Sequence, residues 1–163
     1  MNEYDSERMA EILEPFNYSP VNEPDQADLI ILNTCHIREK AAEKIYSELG
    51  RLKKINNKSN REPKIAVAGC VGQAEGQEII NRSPIVDLVF GPLTYHQLPE
   101  MLESIETKKG FPNKKLVNIE VPDIDKFNQL KGSRKSLRSI SSLLSVQEGC
   151  DKFCSFCVVP YTR

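Results

Sequence analysis

Three short apolar runs constrain this chain most. "ADLIILNTC" (Ala27 to Cys35), "KIAVAGC" (Lys64 to Cys70) and "VDLVFGP" (Val86 to Pro92) are nearly continuous in apolar residues. Runs of this length without polar alternation fit strands covered on both faces, as in a parallel sheet. Helical patterns separate them. "DSERMAEILEPF" places Met9, Ile12, Leu13 and Phe16 on one face, with Asp5 or Ser6 as a cap and Pro15 as the stop. "REKAAEKIYSELGRLKK" spaces Ile45, Leu49 and Leu52 as a helix does. "GQAEGQEIINR" reads as a weaker helix. "TYHQLPEMLESIE" offers Thr94 as a cap and Leu98, Met101, Leu102 and Ile105 as its apolar face. Strands alternating with helices predict right-handed βαβ units and an α/β fold with a parallel sheet.

After Thr107 the pattern loosens. A possible edge strand, Lys115 to Val121, stands inside polar sequence rich in lysine, glycine and proline, and a linker follows. "ISSLLSVQEGC" then reads as the first strand of another domain. The expected organisation is an α/β domain over 1–107, an edge strand and linker over 108–142, and the start of a second domain over 143–163.

Composition excludes several classes. No stretch approaches the roughly 18 to 20 apolar residues of a membrane span, and the N-terminus lacks the pattern of a secretory signal. A cytoplasmic location is therefore expected, where the five cysteines favour metal or catalytic roles over disulfides. The net charge of −1 gives no overall pull toward nucleic acid, but charge is unevenly spread. Residues 1–30 carry eight acids and one base; Arg51 to Lys64 carries six bases and one acid; Lys126 to Arg138 carries five bases and no acid. A solvated face accounts for each run alone, with an RNA contact as the sharper reading.

Cys35 ends the first apolar run and Cys70 the second. Ligands bind at the carboxyl ends of strands in an open parallel sheet, so these two thiols can face one site; as single residues they read equally as small buried apolar groups. Cys150, Cys154 and Cys157 form the denser cluster, Cys-x3-Cys-x2-Cys. Thiolates suit iron–sulfur clusters and zinc. A structural zinc site usually takes four ligands, whereas three cysteines suit a four-iron, four-sulfur cube with one open iron. Phe153 and Phe156, between the thiols, are expected to shield it from water.

These motifs resemble a known family. A CxxxCxxC loop after a strand is similar to the signature of radical S-adenosylmethionine enzymes. "LNTCHIREKAAEKIYSELGR", "AGCVGQAEG", "VDLVFGP", "LPEML" and "QEGCDKFCSFCVVPYTR" resemble the methylthiotransferases that modify tRNA, and within them the branch acting on N6-dimethylallyladenosine. The resemblance implies a methylthiotransferase N-terminal α/β domain followed by the first strand and cluster loop of a radical SAM partial barrel. It implies two 4Fe-4S clusters: an auxiliary one on three cysteines, of which Cys35 and Cys70 match the second and third, and a radical cluster on Cys150, Cys154 and Cys157 that binds S-adenosyl-L-methionine. It implies methylthiolation of C2 of the modified adenosine beside the tRNA anticodon, with tRNA and a reducing electron donor as partners and a monomeric state.

The family pattern also implies an amino-terminal portion of a longer enzyme, with the first auxiliary cysteine and one mid-sheet strand lying ahead of Met1. Such a piece is expected to be inactive alone, with strands beside the missing one left unpaired. The competing readings are a non-enzymatic α/β module that binds a metal or partner, and a zinc site in the tail. His36 and His96 read as cap or surface residues, His36 with a possible donor role behind Cys35. Glu39 suits the helix dipole, and Arg38, Tyr161 and Arg163 are candidates for proximity to cofactor or substrate.

Overall fold

The computed structural model describes residues 2–35, 41–59, 62–105, 115–121 and 145–163. Four strands form one sheet in the order β1-β2-β3-β4: β1 (Leu29–Thr34), β2 (Lys64–Gly69), β3 (Leu88–Phe90) and β4 (Leu116–Asn118). Every neighbouring pair is parallel. Six helices accompany them among the described residues: α1 (Asn2–Leu13), α2 (Ala41–Ser59), α3 (Cys70–Glu75), α4 (Gln77–Arg82), α5 (Leu98–Ile105) and α6 (Val159–Thr162). The parallel α/β architecture follows the apolar runs closely.

Strand periodicity sorts the core into two layers, because successive side chains point to opposite faces. Ala66, Ala68, Leu88 and Phe90 face α1 and α5, meeting Met9, Leu13, Leu98, Met101, Leu102 and Ile105. Ile65, Val67 and Val89 face the other way, against Ile45, Leu49 and Leu52 of α2 and Ile79 and Ile80 of α4. Leu29, Ile31 and Leu116 join the first layer, and Ile30, Leu32 and Val117 the second. The predicted inner faces of α2 and α5 are the observed ones.

Several expectations need correction. β1 pairs directly with β2 through six residue pairs, Leu29 with Lys64 through Thr34 with Gly69. The sheet thus has no gap between these strands and no ladder left open there. All three crossovers step in one direction along the sheet, yet α2 and α4 cover one face and α5 the other. The third crossover therefore turns with the opposite hand from the first two, and uniformly right-handed units are not formed; α5 instead shares a core with α1.

The first helix starts at Asn2 rather than at an Asp5 or Ser6 cap, and its α-helical part stops at Leu13. Pro15 lies in a following 3-10 turn, Glu14–Phe16, and Phe16 points to solvent at 48% exposure. The single helix expected over Gly72–Arg82 is split at Gly76, whose φ of +47° breaks the α3 path. Thr94 is buried but does not cap α5. Its hydroxyl donates to the carbonyls of Gly91 and Asn118 at 3.3 and 3.2 Å, tying the loop after β3 to β4. Ser145–Cys150, the described part of the expected further strand, is irregular. His36, Arg38 and Glu39 lie outside the described residues.

Candidate functional site

The carboxyl edge of the sheet gathers the candidate residues. Thr34 and Gly69 are register partners on the last rung between β1 and β2. Cys35 and Cys70 directly follow them, so both leave the sheet at the same edge on neighbouring strands. Cys35 is half-buried; Cys70 is buried and opens α3. The rung itself is tight. The Thr34 hydroxyl donates to the Ala68 carbonyl at 2.6 Å, and Gly69 has φ +87°. A Cβ on Gly69 would lie 2.3 Å from the Thr34 carbonyl oxygen. Glycine is thus required by both backbone angle and space.

The three-cysteine segment returns to this edge. α6, just beyond Cys157, packs on α3, whose first residue is Cys70. Arg163 closes the contact. Its Nη2 donates to Asp5 Oδ2 and its Nη1 to Glu148 Oε1, each at 2.6 Å. All three side chains are under 9% exposed. The guanidinium also hydrogen-bonds the Cys70 side chain. Burial works against its charge, but the bonds to Asp5 and Cys70 outweigh that and hold its pKa above the ordinary arginine value.

Around this group lie Tyr4, Arg8 and Tyr95, all buried. Burial first, then the charge of Asp5, pushes the Tyr95 phenol well above its ordinary range. Charged residues this buried are almost always paired, and Arg163 finds its partners in Asp5 of α1 and Glu148 ahead of the cysteine loop.

Cys150 and Cys154 are exposed and Cys157 half-buried. A turn links the last two, with the Cys157 amide donating to the Cys154 carbonyl at 3.0 Å. Phe153 takes a left-handed φ of +47° and packs edge-on against Tyr161, ring centroids 5.9 Å apart. Phe153 is 61% and Phe156 90% exposed.

The same described residues contain no group of three His, Cys, Asp or Glu that converges to hold a metal ion. The loop supplies three accessible thiols on one segment, a donor set that fits an iron–sulfur cube able to organise its own loop on binding. The sheet edge supplies two thiols, Cys35 and Cys70, which fall short of a cube's ligand set.

The basic run Arg51 to Lys64 lies elsewhere. Its described residues lie at the end of α2 and the start of β2, at the amino edge of the sheet. A cleft of about 590 Å³ there is lined by Lys53, Asn56, Asn57 and Lys64, but also by Glu62 and Asp87. Lys64 and Asp87 approach to 3.9 Å, so the charge is locally balanced. The strand length of six residues, about 20 Å, separates this cleft from the thiols. No helix among the described residues is long and apolar enough to cross a membrane.

What sequence reasoning missed is the buried Arg163 group. Asp5 reads locally as a helix cap, and its partner is 158 positions away.

Comparison with known proteins gives the family. The family model described as "Uncharacterized protein family UPF0004" matches residues 1–91, more than half of the chain. Curated relatives named tRNA-2-methylthio-N(6)-dimethylallyladenosine synthase align along all of it. Those from Jannaschia sp. (strain CCS1) and Ruegeria sp. (strain TM1040) are 57% and 58% identical over 163 residues. That from Maricaulis maris (strain MCS10) is 54% identical over 165. The alignments cover 34%, 36% and 35% of those proteins, so the chain spans about a third of their length. The chain belongs to the UPF0004 family, whose domain is the N-terminal α/β domain of the methylthiotransferases.

Proposed function

We propose that this chain serves in the methylthiolation of tRNA, at C2 of N6-dimethylallyladenosine beside the anticodon, by radical S-adenosylmethionine chemistry. The observation that carries the reading is the docking of the Cys150–Cys157 segment, through α6 and Arg163, on the sheet edge that bears Cys35 and Cys70. A reaction needing two sulfur-ligated centres near one substrate requires that proximity. The names of the relatives support the substrate. Cytoplasmic tRNA and a reducing electron donor are the partners of this reading.

Cys150, Cys154 and Cys157 would hold the radical cluster. When bound, a four-iron, four-sulfur cluster with one open iron supplies a chelation site for S-adenosylmethionine and the electron for its reductive cleavage. The chain's own contribution is placement. Phe153, with its left-handed backbone, turns the loop between the first two thiols. Asp5, Glu148 and Arg163 fix the loop's two ends to α1. Cys35 and Cys70 present thiols at neighbouring strand ends, where a third ligand is needed to complete an auxiliary cluster; no step is assigned to that pair alone.

The test is anaerobic reconstitution of the full chain with iron and sulfide, followed by metal analysis. The reading expects about four iron per chain on the loop, lost when Cys150, Cys154 and Cys157 are all replaced by serine and kept when Cys35 and Cys70 are. Iron uptake indifferent to the loop cysteines would overturn it. Stoichiometric zinc retained in preference to iron would favour a structural metal module instead.

A further inference from the structure

Arg163 is buried and holds two carboxylates at once, Asp5 and Glu148. Its guanidinium joins three separate parts of the chain. Asp5 comes from the first turns of α1, Glu148 from just ahead of the cysteine loop, and Cys70 from the start of α3. The exposures are 6% for Arg163, 4% for Asp5 and 8% for Glu148. Backbone closeness reinforces the contact: a Cβ on Gly149 would meet the Arg163 carbonyl oxygen at 3.1 Å.

We propose that Arg163 is a positioning residue that holds the three-cysteine loop against Cys70, with Asp5 of α1 as its fixed anchor. A surface ion pair could not do this, since exposed pairs contribute little and tolerate many geometries. A buried fork of two charge-assisted bonds is different. Its geometry is narrow, and removing either partner leaves an uncompensated charge away from water. Burial on this scale makes the loop's position depend on α1, 158 residues earlier in sequence.

This inference rests on the proposed convergence of both sets of thiols on one site. Its test is made on the metal-free chain, so it can fail while iron loading stands, and the reverse. Hydrogen exchange is followed at the amides of Cys157, Tyr161 and Arg163, which donate within the segment at 3.0 Å each. The amides of Ile65 to Ala68 in β2 serve as the internal reference.

Asp5→Asn, a change in α1 alone, is expected to speed exchange in the segment by about tenfold or more while β2 keeps its protection. Glu148→Gln is expected to act in the same direction, and Arg163→Lys, which keeps the charge but not the fork, to fall between wild type and Arg163→Ala. The double variant D5N/R163A should be no worse than R163A, as coupled partners require. Should Asp5→Asn unfold β2 as well, Glu148→Gln decides by the same criterion. Segment exchange within about twofold of wild type in the folded variants, or additive effects in the double variant, would overturn the proposal.

Discussion

Thr34 and Gly69 face each other across the last rung of the β1–β2 ladder, and each is followed at once by a cysteine. Two residues 35 positions apart in sequence, Cys35 and Cys70, thereby leave the sheet side by side. The rung is the structural basis of the candidate site, and its chemistry can be tested without any cofactor.

Gly69→Ala should be severely destabilising. The new methyl group would sit 2.3 Å from the Thr34 carbonyl oxygen, at a φ of +87° that L-residues rarely adopt. Strain of this kind costs about 1–3 kcal/mol before any clash is counted. Urea denaturation should show at least that loss. Gly50→Ala is the matched control, since nothing lies within 4 Å of its Cβ position in α2; it should stabilise the chain by about 0.5–1 kcal/mol.

Thr34→Val keeps the shape of the side chain and removes its donor. The hydroxyl bonds the Ala68 carbonyl at 2.6 Å in a buried setting. A loss of about 1–2 kcal/mol is expected in equilibrium unfolding. A neutral result would mean that the rung is held by its backbone alone.

Tyr46 predicts a distinct alkaline behaviour. Burial first, then its hydrogen bond to Glu75, raises the phenol from 10.0 to about 12, although the Arg82 guanidinium 3.7 Å from the ring centre pulls the other way. The folded pKa exceeds the unfolded one, so the neutral phenol stabilises the fold fully below pH 10.0. That contribution is lost as pH climbs toward 12. Tyr46→Phe should flatten the fall in stability across this window, read as the difference between the two proteins' urea midpoints. Equal pH dependence for both would refute the assignment.

The strands were legible because burial on both faces leaves an unbroken apolar signature. Ile65 to Ala68 is fully buried, and β2 could hardly be read otherwise. The cysteine placement at strand ends followed from the same runs. Other features depend on contacts distant in sequence. Phe16 looked like core by spacing, but the 3-10 turn at Glu14–Phe16 carries it off the helical face. Thr94 looked like a cap, but its hydroxyl was drawn to the carbonyls of Gly91 and Asn118. β1 and β2 pair without a gap, Leu29–Thr34 against Lys64–Gly69 over six residue pairs. Asp5 is the clearest case: only the folded chain brings it to Arg163.

The central claim concerns Cys150, Cys154 and Cys157, and electron paramagnetic resonance of the reduced, anaerobically reconstituted chain addresses it most directly. Adding S-adenosylmethionine should change the cluster's signal in the wild-type chain and in C35S/C70S alike, because the proposed loop cluster would offer the cofactor its open iron. C150S/C154S/C157S should give no cofactor-sensitive signal. A spectrum unmoved by S-adenosylmethionine, or a cofactor-sensitive signal that survives replacement of all three loop cysteines, would contradict the account.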